Sequence, residues 1–319
     1  MSWVEDVLGP AFQQRTLPLG EDEEGEVVAT LVRHQPPGRE GLRPARAVLY
    51  VHGWSDYFFQ RHLAEYWTSL GAAFYALDLR KYGRSLREHQ TPGYVDDLET
   101  YDADIGAALE VVACELGAAA SVLLMGHSTG GLVASLWADR HPGRVSGLVL
   151  NSPWLEMQGS ATARYLAMPA VDSLARLNPH LELPNVDPGF YARSFAEAGV
   201  ELEVDPRWRP VPSFPVRPGW LRAIAEGHAR VARGLRIEAP VLVMASARSL
   251  ISPRWSRAML AADVVLDVEA IVRRAVRLGP VVTVVRVDGG LHDLVLSPEP
   301  VRGRVFAEIT RWCAVYGWG

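Results

Sequence analysis

The chain alternates between short apolar runs and longer segments in which apolar residues recur at helical spacing. Eight runs have the length and composition of strands: residues 12–19, 26–34, 47–51, 72–79, 121–125, 145–150, 239–245 and 281–287. Helical spacing marks residues 62–70, 101–116, 132–139 and 268–278. The first two runs flank an acidic turn and predict a hairpin. The alternation that follows predicts an α/β fold with a mostly parallel eight-stranded sheet flanked by helices.

One long segment, residues 153–235, breaks this alternation. It is rich in proline, tryptophan and tyrosine and contains no run comparable to the eight predicted strands. We interpret it as a cap lobe inserted between the sixth and seventh strands. The core would then be built from residues 1–152 and 236–319.

Composition and charge narrow the classes of function. Of the 319 residues, 49% are hydrophobic and 22% are charged, as in an ordinary globular protein. The formal net charge of -5, without a basic run, gives no field that attracts nucleic acid. Residues 1–19 lack the basic start of a signal peptide, and no apolar run reaches membrane-spanning length. We therefore expect a cytoplasmic protein with no nucleic-acid partner and no integral membrane segment.

The strongest chemical pattern is the glycine-rich turn at residues 126–131, which has the form G-x-S-x-G. It lies directly after the predicted strand 121–125 and before the predicted helix at 132–139. A turn of this kind between strand and helix exposes the serine in a strained conformation, and small neighbours let the flanking backbones approach. The pattern predicts that Ser128 is a nucleophile.

Four separated motifs make the chain resemble the α/β-hydrolase superfamily, and within it the monoglyceride lipase and lysophospholipase (serine aminopeptidase-like) group. They are His52-Gly53-Trp54, Asp78-Leu79-Arg80 with Tyr82-Gly83-Arg84-Ser85, the Ser128 turn, and Gly290-Leu291-His292. The match covers roughly residues 48–151 and 239–313 and leaves the lobe largely unmatched. The resemblance implies an α/β-hydrolase fold and a serine hydrolase that needs no cofactor. We assign the charged residues of the second motif a structural role.

A general base is needed because a serine hydroxyl is a poor nucleophile at neutral pH. His292 suits this role, since it follows the last predicted strand through the flexible pair Gly289-Gly290. Its position gives the chain order serine, acid, histidine that is expected of this fold. His127 adjoins the nucleophile on a turn where neighbouring side chains diverge, and His52 is expected to brace its loop. Both are interpreted as structural.

The acid is implied by the resemblance, which places it a few residues after the seventh strand. Residues 245–250 contain no carboxylate there, and Ser249 occupies the position by simple count. Counting back from His292, Asp263 falls where the family's acid would fall. We infer that residues from about 248 to 260 are an insertion and that Asp263 is the acid.

Three other carboxylates remain open as alternatives to this acid. Asp267 is the first of them, although it could instead cap the helix that begins at Val268. Asp293 follows His292 immediately and would have difficulty reaching round to the same imidazole. Asp288 is the last alternative, and a triad without an acid is also possible.

Acyl transfer builds negative charge on the former carbonyl oxygen, which two backbone amides can stabilise. The amide after the nucleophile is a standard donor in this fold, which points to Thr129. The resemblance implies that the second donor follows His-Gly, which points to Trp54. The sequence thus predicts an oxyanion hole formed by the amides of these two residues.

The lobe is expected to cover the carboxyl ends of the strands and to form the substrate pocket. It contributes these aromatic and aliphatic residues, which suit acyl chains or simply form its own core: Trp154, Leu155, Met157, Tyr165, Leu166, Met168, Phe190, Tyr191, Trp208, Phe214 and Trp220. No metal-ligand motif or phosphate loop is present in the sequence. The expected substrate is a small, lipophilic carboxylic ester, such as a monoacylglycerol or a lysophospholipid. An amidase, peptidase or acyltransferase with the same triad, or a non-catalytic ligand-binding protein, are the alternatives.

Overall fold

Among the residues that it describes, the computed structural model has nine strands in one sheet. It describes residues 2–38, 41, 43–159, 161–185, 187–200 and 203–318, with the backbone alone for residues 161–167. The strands are β1 (Val4–Asp6), β2 (Gly9–Asp22), β3 (Gly25–His34), β4 (Arg46–Val51), β5 (Ala73–Asp78), β6 (Ser121–His127), β7 (Gly147–Asn151), β8 (Val241–Ser246) and β9 (Val282–Val287). The prediction of eight strands omitted β1, because three residues are too few for an alternating pattern to show.

The strands follow the order β1-β2-β3-β5-β4-β6-β7-β8-β9 across the sheet. Strands β4 to β9 all run parallel, while β1, β2 and β3 are antiparallel additions at one edge. This confirms the predicted mostly parallel sheet. Val51 pairs with Gly126, and Ser246 pairs with Val287, so the loops that follow β4, β6, β8 and β9 begin at the same end of the sheet.

Eight α-helices accompany the sheet in the described part of the chain. They are α1 (Arg61–Ser69), α2 (Tyr101–Leu116), α3 (Thr129–Arg140), α4 (Ala161–Leu177), α5 (Phe190–Glu197), α6 (Pro218–Arg233), α7 (Val268–Ala275) and α8 (Val301–Trp312). The four predicted helices correspond to α1, α2, α3 and α7. Three short 3-10 turns, at Gly83–Ser85, Leu98–Thr100 and Leu294–Leu296, lie in the loops after β5 and β9.

The parallel strands are buried on both faces because helices cover each side. Along β4, Leu49 joins the hydrophobic cluster that includes residues of α2, α3 and α7, whereas the neighbouring Tyr50 joins the cluster that includes residues of α1 and α8. This alternation follows from the two-residue period of a strand. Two hydrophobic layers therefore fix the sheet and the ends of its strands.

Helices α4, α5 and α6 lie between β7 and β8, within residues 153–235. Helix α6 packs against both α4 and α3, so this part of the chain contacts the helix that begins directly after Ser128. None of the described helices is long and apolar enough to cross a membrane.

Candidate active site

The turn between β6 and α3 places Ser128 at its apex. Ser128 has a φ of 52°, a left-handed conformation that costs energy for any residue with a side chain. A Cβ on Gly126 would lie 2.5 Å from the carbonyl oxygen of Gly130, and one on Gly130 would overlap the carbonyl oxygen of His52. The glycines of the motif are therefore required by close backbone packing.

Backbone hydrogen bonds hold this strained turn in place. The N–H of Ser128 donates to the carbonyl oxygen of Asn151 at 3.1 Å, and its own carbonyl accepts from the N–H of Trp154 at 2.9 Å. Both partners lie at or just beyond the end of β7. The neighbouring strand thus fixes the backbone from which the Ser128 hydroxyl projects.

His292 lies in the loop after β9 with its ring between Ser128 and Asp263. Its Nε2 is 3.2 Å from Ser128 Oγ, and its Nδ1 is 2.9 Å from Asp263 Oδ2. The exposed fractions of Ser128, His292 and Asp263 are 8%, 2% and 0%, so the three groups interact away from bulk water. Because a carboxylate only accepts hydrogen bonds, Nδ1 carries the proton and Nε2 is free to accept one from the serine.

The loop that carries His292 is itself fastened to its surroundings. The Ser246 hydroxyl, at the end of β8, donates to the carbonyl oxygen of Gly290 at 2.7 Å. The N–H of Leu291 donates to Ser297 Oγ at 3.0 Å. These bonds on both sides of the loop limit the positions open to the imidazole.

Asp263 reaches the site because the chain returns to the end of β8 after a long excursion. Ser249 and Asp263 form an isolated parallel bridge, in which Asp263 donates its N–H to the carbonyl of Arg248 at 2.9 Å and accepts at its carbonyl from the N–H of Leu250 at 2.7 Å. Ser249, which occupies the acid's position by simple count, therefore lies directly beside Asp263, which is selected by counting back from His292. The excursion between them contains most of the segment that the sequence analysis interprets as an insertion.

The Asp263 carboxylate is oriented by two amides on the side away from the imidazole. Its Oδ1 accepts from the N–H groups of Val265 and Leu266, both at 2.8 Å. Its other oxygen, Oδ2, is the one that faces His292. The division of the two oxygens between backbone and imidazole fixes the rotation of the carboxylate.

Replacing Ser249 by alanine is expected to lower the free energy of unfolding by about 1–3 kcal/mol, because the carbonyl of Leu266 and the N–H of Val268, both buried, lose their hydrogen-bond partner. The Ser249 hydroxyl donates to the carbonyl of Leu266 at 2.8 Å and accepts from the N–H of Val268 at 2.7 Å. Chemical denaturation would measure the loss. Ser252→Ala is the control, because the Ser252 hydroxyl lies in the exposed part of the excursion and, among the described residues, bonds only to the backbone of Arg254. Equal stability of the two variants would contradict the expectation.

The alternative acids have other partners. Asp267 Oδ1 accepts from the N–H of Glu269 at 3.0 Å and so caps α7. Asp293 is buried and accepts from Asn151 Nδ2 at 2.6 Å and from Gln60 Nε2 at 3.2 Å. Asp288 is exposed. The structure brings Asp263 to His292 and directs the other three carboxylates elsewhere.

The backbones of both predicted oxyanion donors lie close to the serine. Thr129 is the first residue of α3, so its N–H has no acceptor within the helix. A Cβ on Gly53 would lie 3.1 Å from Ser128 Cβ, which shows how closely the backbone before Trp54 passes the nucleophile. Neither amide donates to an acceptor in the described part of the chain. Both are therefore available to a bound oxygen.

The two neighbouring histidines hold loops together. His127 lies 3.1 Å from the carbonyl oxygen of Asn151 through Nδ1 and 3.3 Å from the Tyr191 hydroxyl through Nε2. His52 accepts the N–H of Leu79 at 3.1 Å through Nε2. Burial lowers the pKa of both imidazoles, so both are held in the neutral form.

The second family-like motif, after β5, forms a buried polar network. Asp78 accepts from the N–H of Phe58 at 2.9 Å and forms an ion pair with Arg84 at 2.8 Å. Arg80 pairs with Asp104 at 2.7 Å, and the Ser85 hydroxyl donates to the Asp78 carbonyl at 2.8 Å. These contacts tie the loops after β4 and β5 together.

A buried ion pair near the site was missed by sequence reasoning. Asp56, in the loop after β4, lies 3.0 Å from Arg209, and their side chains are 3% and 7% exposed. Burial raises the pKa of Asp56 to about 6, although the nearby Arg209 guanidinium opposes that rise. Asp56 could have been singled out by its place two residues after Trp54. Arg209 is in the lobe, where no pattern marks it.

Aromatic side chains between β7 and β8 form a cluster with Trp54 and a contact with His292. Trp54 packs against Trp220 with ring centroids 3.9 Å apart and against Phe214 at 6.2 Å, and Trp154 lies 6.0 Å from Trp220. Tyr191 meets the His292 ring edge to face at 5.2 Å.

Other members of the predicted pocket lie elsewhere. Phe190 contacts Trp255 and Trp208 contacts Tyr57. The side chains of Tyr165 and Leu166 lie outside the described residues. Within the described residues, no group of three His, Cys, Asp or Glu side chains is arranged to hold a metal ion.

Comparison with known proteins adds sequence and fold relatives. A family model described as serine aminopeptidase, S33, matches residues 43–298. A monoacylglycerol lipase of Mycolicibacterium smegmatis is 25% identical over 271 residues, covering 84% of this chain and 88% of the relative. Phospholipase YtpA of Bacillus subtilis is 32% identical over 120 residues, covering 36% and 43%. The crystal structure of a Paleococcus ferrophilus monoacylglycerol lipase has a similar fold, with a TM-score of 0.63, 20% identity and coverage of 96% and 99%.

Proposed function

Because the chain belongs to the serine aminopeptidase S33 family of α/β-hydrolases, we propose that it hydrolyses carboxylic esters with Ser128 as nucleophile, His292 as general base and Asp263 as the acid that orients the base. The observation that carries the proposal is the unbroken contact from Ser128 Oγ to His292 Nε2 and from His292 Nδ1 to Asp263 Oδ2. A nucleophile, a base and an orienting carboxylate are the three parts of this catalytic arrangement.

Acylation begins when Ser128 Oγ attacks the carbonyl carbon of the ester and His292 Nε2 takes the hydroxyl proton. Asp263 stabilises the imidazolium that forms, because its carboxylate faces the protonated Nδ1. The tetrahedral intermediate then collapses, the bond to the alcohol oxygen breaks, and His292 returns the proton to the leaving alcohol. Ser128 is left as an acyl ester.

Deacylation repeats these steps with water as the nucleophile. His292 Nε2 takes a proton from the water as its oxygen attacks the acyl carbon, and then gives that proton to Ser128 Oγ. The products are a carboxylic acid and the free serine. No cofactor is needed, because every proton is exchanged with His292.

The amides of Trp54 and Thr129 form the oxyanion hole in this proposal. Loss of one donor of this kind typically costs about 10²- to 10³-fold in kcat. Two amides close to Ser128, neither with an acceptor among the described residues, fit this role. They act only when a carbonyl oxygen becomes negatively charged in the transition state.

We infer that the substrate is a lipophilic ester of the monoacylglycerol or lysophospholipid type. Two observations support this: the relatives include a monoacylglycerol lipase and a phospholipase, and an aromatic cluster surrounds Trp54. In this proposal the half-buried rings of Trp54 and Trp154 contact the acyl chain, and the buried rings of Phe214 and Trp220 pack behind them. The family's description as an aminopeptidase makes an amide substrate the second candidate.

Labelling with a fluorophosphonate tests this proposal. We expect one probe per chain, with mass spectrometry of peptides assigning it to Ser128, and loss of ester hydrolysis in parallel with labelling. The purified chain is then given a monoacylglycerol series, a lysophospholipid, aminoacyl amides and a competing acceptor alcohol. Faster turnover of an amide would favour a peptidase, and acyl transfer to the alcohol would favour a transferase. Ligand binding with neither turnover nor labelling would overturn the enzymatic proposal.

A further inference from the structure

The loop after β4, residues 52–60, carries Trp54 and is here named the β4 loop. Its Asp56 carboxylate forms the buried ion pair with Arg209, which belongs to the segment between α5 and α6. Taking two charges out of water is costly, and a pair of this kind is weak evidence for stability alone. A role in fixing the conformation of the β4 loop is a better reason for the presence of this ion pair near the active site.

Residues 205–214, here named the clamp segment, hold the β4 loop through two further hydrogen bonds. The N–H of Phe214 donates to Ser55 Oγ at 3.0 Å, and the N–H of Asp205 donates to the Tyr57 hydroxyl at 2.7 Å. The residues that flank Asp56 on both sides are thus bound to the same segment. Among the described side chains, the pair of Asp56 with Arg209 is the only ionic contact between these two segments.

The backbone at this point also needs support. Ser55, directly after Trp54, has a φ of 51°, a left-handed conformation that is unfavourable for serine. A conformation of this kind persists when surrounding contacts impose it. The contacts of the clamp segment are therefore placed where they control the direction of the Trp54 amide.

Arg209 also reaches the other side of the active site. Its guanidinium lies 5.1 Å from the centroid of Tyr191, the ring that packs on His292 at 5.2 Å and whose hydroxyl is 3.3 Å from His127 Nε2. One side chain from the lobe thus contacts both the β4 loop and the aromatic neighbour of the general base. No other residue of the clamp segment has this pair of contacts among the described interactions.

We propose that Arg209 is a positioning residue: by pairing with Asp56 it holds the β4 loop so that the Trp54 amide is directed at the oxyanion. The inference rests on the proposed function, because it concerns the oxyanion hole of that reaction. Arg209 does not touch the reacting atoms. It acts through Asp56, and its loss should lower the rate of the chemical step without weakening substrate binding to the same degree.

Arg209→Met keeps an unbranched apolar stem and removes the guanidinium. We expect kcat for a short-chain monoacylglycerol to fall about 10- to 100-fold, as for misplacement by roughly 1 Å, with KM changed by less than about threefold. Arg217→Met is the matched control, because Arg217 forms its ion pair with Glu182 within the lobe. Arg209→Lys should recover part of kcat, since it restores the charge without the planar fork.

The double variant Asp56→Asn/Arg209→Met keeps the test decisive if Arg209→Met fails to fold, because it leaves no unpaired buried charge. We expect it to fold and to show the same reduced kcat. Wild-type kcat in the double variant, or equal kcat in Arg209→Met and Arg217→Met, overturns the inference while leaving the proposed function intact. A wild-type chain that neither hydrolyses esters nor takes up the fluorophosphonate overturns the proposed function, and the inference with it.

A second readout follows from the charge of Asp56, whose pKa burial raises to about 6 in the presence of Arg209. A raised carboxyl pKa means that the folded chain binds the proton more tightly, so its contribution to stability falls as pH rises through the window from about 4 to about 6. Without Arg209 the pKa rises further and the fall extends to higher pH. The stability deficit of Arg209→Met should therefore be larger at pH 8 than at pH 5. The other ionisable groups around Asp56 are unchanged in the variant: His127 and Asp293, and the hydroxyls of Tyr50, Tyr57 and Tyr191. A stability deficit of Arg209→Met that does not change with pH would contradict the pairing of a charged Asp56 with Arg209.

Discussion

Replacing Ser128 by alanine is expected to lower kcat for ester hydrolysis by roughly 10⁴- to 10⁶-fold, because removal of the nucleophile leaves only the oxyanion hole and binding to act on the substrate. The fold should survive, since the backbone contacts of residue 128 to Asn151 and Trp154 do not involve its hydroxyl. Steady-state kinetics on a monoacylglycerol and intact-mass measurement after fluorophosphonate treatment would check both the rate and the absence of labelling.

Ser152→Ala is the matched control for this variant. Ser152 is also a buried serine with a left-handed backbone, at a φ of 45°, directly after β7. Its hydroxyl, unlike that of Ser128, has no hydrogen-bond partner among the described residues. We expect its kcat to stay within about threefold of wild type, as for a substitution outside the reacting groups. Labelling of Ser128→Ala, or comparable losses in the two variants, would place the nucleophile elsewhere.

The sequence predicts the parallel half of the fold well because that half follows local rules. A strand buried on both faces is a short apolar run, and a helix that covers it has an apolar stripe, so β4 to β9 and α1, α2, α3 and α7 each leave a pattern that periodicity detects. The turn at Ser128 is predicted for the same reason. Its glycines are imposed by backbone contacts within a few residues and by one neighbouring strand.

The parts that sequence patterns do not predict depend on distant contacts. Helices α4, α5 and α6 lie in a segment whose proline and aromatic residues obscure helical spacing. Helix α6 packs against α4 and α3, and α5 packs against the short 3-10 helix Arg257–Ala261 of the excursion after β8. Arg209 has no local pattern because its partner, Asp56, is far away in the chain. Asp263 is an intermediate case. Counting back from His292 predicts it from the sequence, but the bridge to Ser249, which the structure reveals, is what explains how its carboxylate reaches the imidazole.

Replacing Asp263 by asparagine is expected to lower kcat by about 10³- to 10⁴-fold with little change in KM, because it imposes the wrong tautomer on His292. The amides of Val265 and Leu266 both donate to Asp263 Oδ1, so an asparagine would place its carbonyl oxygen there and turn its NH₂ towards His292. Nδ1 would then accept a hydrogen bond and the proton would move to Nε2. An imidazole protonated at Nε2 cannot take the proton of Ser128.

Asp267→Asn is the control that separates the two carboxylates on which the choice of acid depended. Asparagine caps a helix about as well as aspartate, so α7 keeps its cap and loses only a charge worth about 0.3–1 kcal/mol at the helix start. Its kcat should stay within about twofold of wild type, as for a surface change away from the reacting groups. The asparagine substitution is thus expected to abolish most activity at Asp263, because that carboxylate contacts the His292 imidazole. At Asp267 it is expected to be tolerated, because that carboxylate accepts from backbone amides of α7. A larger loss of kcat at Asp267 than at Asp263 would reverse the assignment.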